Sequence, residues 1–116
     1  ISEKYVKAGF YLASDKKDSA KNLYEEIILS GNRFYSILAL NTIIEKELVL
    51  DKNKILKYFE ILKRSVTTKN RQDLLTLKKA LYLIKISDTK DGNELLNNLI
   101  SSESILKPAA EELLKK

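Results

Sequence analysis

The sequence contains no histidine and no cysteine. Their absence excludes a disulfide framework, a zinc site of Cys/His type, a cysteine nucleophile and any histidine general base. A chain without cysteine suits the periplasm and the cytosol equally. Only 3 glycines and 1 proline are present, too few turn formers for an all-β sandwich or barrel. No apolar run approaches the roughly 18–20 residues needed to span a bilayer. No segment has the charged, apolar and small-residue order of a signal peptide.

What remains is a chain of 116 residues, 44% apolar and 32% charged, with a net charge of +5. Length and balance fit one globular domain spanning residues 1–116. It opens on Ile1 rather than Met, which reads as a domain excised from a longer, membrane-anchored chain. Lysine outnumbers arginine 18 to 3. With the many Ile and Asn codons that suggests an AT-rich genome, and it lowers the weight of the basic charge as a functional sign.

Apolar residues recur at steps of three and four, so the chain reads as all-α. The spacing predicts helices over Ser2–Ser14, Lys17–Leu29, Phe34–Leu48, Asn53–Val66, Arg71–Ile86, Thr89–Ile100 and Ile105–Leu114. Gly31 can take the left-handed conformation that ends the second helix. Asp51 to Asn53 are capping types ahead of the fourth. Pro108 is tolerable because it sits in the first turn of the last helix. Inward stripes are expected from Ala20, Tyr24, Ile27 and Ile28, from Leu40 and Ile44, from Ile55, Phe59 and Leu62, and from Leu74, Leu77, Leu81 and Ile84.

An internal repeat lies over these helices. Ala8, Tyr11, Ala20, Tyr24 and Ile27 are separated by three, nine, four and three residues. The same steps join Ala80, Leu83, Gly92, Leu96 and Leu99 and, with Asp51 in the small position, Ala39, Thr42, Asp51, Ile55 and Tyr58. Small residues on paired helices let two backbones approach closely, and larger residues fill the space beside them. The steps resemble the tetratricopeptide signature without its Trp. They imply about three helical hairpins in a right-handed superhelix, with a closing C-terminal helix. The stretch Asn32-Arg33-Phe34-Tyr35-Ser36-Ile37-Leu38-Ala39-Leu40 and the closing Lys107-Pro108-Ala109-Ala110-Glu111-Glu112-Leu113-Leu114 resemble one family within that class. It is the periplasmic domain of the ancillary subunit of the bacterial Sec translocon. The resemblance implies an upstream membrane helix, a periplasmic location, and contact with translocon components and periplasmic chaperones. A cytoplasmic location is the alternative.

Two features are candidates for function. In a tetratricopeptide frame the first helix of each hairpin lines a concave groove. That frame points to Tyr5, Leu12, Leu40, Ile43, Ile44, Leu74, Leu77, Leu81 and Ile84 as an aliphatic partner groove. Residues 51–85 carry 10 basic and 3 acidic side chains. The basic ones are Lys52, Lys54, Lys57, Lys63, Arg64, Lys69, Arg71, Lys78, Lys79 and Lys85. Nucleic acid would call for more arginine and stacking aromatics beside them. Acidic neighbours such as Glu25-Glu26 point to different sides of a helix and do not converge on a catalytic dyad. The expected function is therefore a non-catalytic protein-interaction module, a scaffold or chaperone-like adaptor at the export machinery. It needs no cofactor, metal or small-molecule substrate. The alternatives are a basic domain binding nucleic acid or anionic membrane through residues 51–85, and a structural homo-oligomer that buries the groove against its own copy.

Overall fold

The three-and-four period is realised as helix over most of the described residues. The computed structural model describes residues 1–115. Seven helices form among the described residues: α1 (Ser2–Ala13), α2 (Lys17–Leu29), α3 (Arg33–Glu45), α4 (Lys52–Ser65), α5 (Lys69–Lys85), α6 (Thr89–Ser101) and α7 (Lys107–Leu114). No strand forms among those residues, and no helix is long and apolar enough to cross a membrane. The largest departures from expectation are at α3, α5 and α7, the last starting two residues after Ile105. Helix α3 stops three residues before Leu48. Helix α5 starts two residues before Arg71, where the Thr68 hydroxyl caps the Arg71 N–H at 3.4 Å.

Four helices end in one way. Asp15, Glu47, Ser87 and Glu103 take left-handed φ angles of 60, 53, 69 and 54°. The next N–H then folds back onto the last turn: Lys16 to Tyr11, Leu48 to Ile43, Asp88 to Leu83 and Ser104 to Leu99, at 2.8–3.1 Å. This Schellman closure satisfies carbonyls that the helix leaves open. It also stops α3 at Glu45, since Glu47 cannot stay helical. Helix α2 ends differently. Gly31 is left-handed as expected, at φ 76°, but the Ile27 carbonyl takes its bonds from the hydroxyls of Ser30 and Ser36. The Ser36 bond, 2.9 Å long and buried, ties α3 to the end of α2. Asn32 then caps α3 through the N–H groups of Phe34 and Tyr35. Asp51 caps α4 through Asn53 and Lys54, so it serves the backbone rather than a close helix contact.

The helices pack as two compact units, Ile1–Ser65 and the segment from Val66 onward. In the first, α1 packs on α2, α2 on α3 and α4, and α3 on α4. Ala8, Ala20, Ile27, Ile28, Ala39, Ile43 and Ile55 are wholly buried there. In the second, α5 packs on α6 and α6 on α7. Ala80, Leu96, Leu99 and Ala110 form its core, flanked by Leu77, Ile84, Leu95, Ile100, Leu113 and Leu114. The close approach expected at Ala80 and Gly92 is present: a Cβ added to Gly92 would lie 3.0 Å from the Ala80 carbonyl oxygen and 2.7 Å from Ile84 Cγ1.

Candidate partner-binding surfaces

The nine residues expected to line a groove divide by burial. Leu40 and Ile43 are buried and keep no surface for a partner. Ser36, Ala39 and Ile43 lie on one side of α3, and all three are buried with Leu40. Tyr5, Leu12 and Ile44 are half-buried. Tyr5 belongs to an aromatic group, with its ring centroid 5.9 Å from Tyr24 and 5.4 Å from Tyr35. Leu77 and Ile84 pack against the core of the second unit. Leu74 and Leu81 are 39% and 42% exposed. The buried residues of α5 are instead Leu75, Ala80, Tyr82 and Leu83. Apolar residues surround much of this helix, and spacing alone did not choose the face.

The first unit presents an apolar stripe made of residues other than those nine. Val6 is 56% and Phe10 68% exposed on α1. Gly9 and Ala13 are exposed beside them. These four positions share one side of a helix at steps of three and four. The sequence signal was the nearly unbroken apolar run from Tyr5 to Ala13, which is too apolar for a helix with a single inward face.

The ten basic residues are split between the two units. On α4, Lys52 and Lys63 fall on one flank of the buried face formed by Ile55, Tyr58, Phe59 and Leu62. Lys54 falls on the other flank, and Lys57 and Arg64 on the side away from the buried face. Lys54 is bound to Glu25 at 3.0 Å, and Lys69 to Asp73 at 2.8 Å. On α5, Arg71, Lys78 and Lys85 recur every seven residues, on the same line as Leu74 and Leu81.

Glu25 is the electrostatic centre of the first unit. It accepts a short hydrogen bond from the Tyr58 hydroxyl and pairs with Lys54. Burial pushes its carboxyl up, but the Tyr58 hydroxyl and the Lys54 ammonium outweigh that and hold it below the ordinary carboxylate value. Burial, then the Glu25 charge, push the Tyr58 hydroxyl well above the ordinary tyrosine value. Burial likewise opposes ionisation of Asp73, and hydrogen bonds from Lys69 and Ser104 more than offset it. Glu25 with Tyr58 and Lys54 ties α2 to α4, and Lys69 with Asp73 pairs within α5. Among the described residues no cluster of three His, Cys, Asp or Glu side chains forms. No family model, curated protein or solved structure matches the chain.

Proposed function

We propose that the chain is a non-catalytic protein-interaction module, built from tetratricopeptide-like helical hairpins and acting as a scaffold or chaperone-like adaptor. Its place is the periplasmic side of the protein export machinery, where the resemblance of Asn32–Leu40 and Lys107–Leu114 points. The observation that carries the reading is the apolar stripe of Val6, Gly9, Phe10 and Ala13, left in solvent on α1. Full burial of a side chain such as Val or Phe is worth roughly 1.5–3 kcal/mol, so an open stripe of this kind is a partner surface in waiting.

Co-purification of translocon components and periplasmic chaperones with the chain tests this. The wild type recovers them, and Val6→Ser with Phe10→Ser loses them while the melting temperature stays close to that of the wild type. Equal recovery by a folded double variant would reject the α1 stripe as the contact. Size-exclusion chromatography separates the homo-oligomer reading, in which the same substitutions change the apparent mass instead.

A further inference from the structure

The leucines and the basic residues of α5 form one surface. Arg71, Leu74, Lys78, Leu81 and Lys85 follow one another at steps of three, four, three and four along a single 17-residue helix. At about 1.5 Å per residue the line is roughly 21 Å long. Leu74 and Leu81 are the large apolar residues of this helix that stand open, while Leu75, Ala80, Tyr82 and Leu83 are buried. From this alternation of cation and leucine along one line of α5, exposed except at the half-buried Lys78, we infer a docking strip for an acidic amphipathic helix of a partner protein. The inference rests on the reading of the chain as a partner-binding module and assigns the chemistry of one partner.

Charge and shape select that occupant. A facing helix with leucines and carboxylates in the same three-and-four alternation sets Leu against Leu74 and Leu81. It also sets Asp or Glu against Arg71, Lys78 and Lys85, which alternate with the leucines within one heptad seam. A membrane-surface helix has a broad apolar face with cations at its borders. Here the cations interrupt the apolar line. Nucleic acid gains nothing from the two leucines, and the strip holds a single arginine and no aromatic ring.

The test uses the whole chain and three labelled probes. One is a designed helical peptide with Leu and Glu in the three-and-four alternation. The second is the same peptide with Lys for Glu. The third is a sequence-scrambled form of the first. Fluorescence anisotropy should give saturable binding of the Glu peptide only, weakening about tenfold or more between about 50 mM and 500 mM salt. Leu74→Gln with Leu81→Gln should abolish it without changing the helical circular dichroism. Lys85→Glu, at an exposed position, weakens it, and Lys78→Glu with Lys85→Glu transfers preference to the Lys peptide. Equal binding of the Glu and scrambled peptides, or binding unchanged by the variants, would overturn the strip. So would α5-dependent binding of phosphatidylserine vesicles or single-stranded DNA without binding of the Glu peptide. In the co-purification assay, failure of the module reading appears as no recovery by the wild type. Failure of the strip appears as equal recovery by wild type and α5 variants.

Discussion

Asp15, Glu47, Ser87 and Glu103 hold a backbone conformation that costs an L-residue with a Cβ on the order of 1–2 kcal/mol. The helix closures they permit offset that cost. Ser87→Gly should therefore stabilise the chain by about 0.5–1 kcal/mol, and Gly31→Ala should destabilise it by about 1–2 kcal/mol. Urea denaturation reads both, and the same sign for the two would contradict the φ assignment. Of these five positions only Gly31 was legible in the sequence. Serine and acidic residues occur at helix ends in many conformations, so composition does not single out a left-handed one. The Tyr58–Glu25–Lys54 group was also hidden, because its members lie on two helices and meet only when α2 and α4 pack. Glu25 titrates lower in the folded chain, so it contributes stability above its unfolded pKa that is lost as pH falls through the folded value. Tyr58 titrates higher, and its contribution is present below the unfolded tyrosine pKa and lost as pH rises beyond it. Tyr58→Phe should cost about 1.5–3 kcal/mol at neutral pH, the usual worth of a hydrogen bond to a charged group. The deficit should shrink in acid. Melting temperatures of both proteins from pH 3 to 7 give the comparison.

The existence of every helix could be read from the three-and-four period, because that period is the physical condition for burying one side of a helix. The inward side of α5 could not. Leu74, Leu75, Leu77, Leu81, Tyr82, Leu83 and Ile84 offer more than one apolar face, and the small residue Ala80 decided the matter by admitting α6 at Gly92. Two glycines inside helices make that point testable. Gly92→Ala drives a methyl toward the Ala80 carbonyl oxygen, a backbone atom that cannot swing aside, and should cost about 1–3 kcal/mol. Gly9→Ala meets nothing within 4 Å and should stabilise α1 by about 0.5–1 kcal/mol through lost backbone freedom in the unfolded chain. Thermal unfolding of the pair should move in opposite directions. The basic block illustrates the same limit. Counting charges over residues 51–85 revealed an excess but not its phase. Only the placement of helix faces separated the line of Arg71, Lys78 and Lys85 from the lysines flanking α4.

In the whole chain, most helix packing joins helices that follow one another: α1 with α2, α2 with α3, α5 with α6 and α6 with α7. Each such pair is connected by three to five residues in a tight turn. The left-handed residues at 15, 31 and 47 fall sixteen apart, as do those at 87 and 103. A structure assembled from neighbours closes only short loops on its way to the native state, so little chain entropy is lost before contacts form. Contact order is then low, and refolding should fall in the microsecond-to-millisecond range of helical bundles. Temperature-jump or fast-mixing fluorescence of the tyrosines measures the rate. Relaxation slower than about a second would mean that the barrier is set by something other than local helix pairing. Such speed shortens the time in which the apolar residues of a half-formed chain stand open to aggregation.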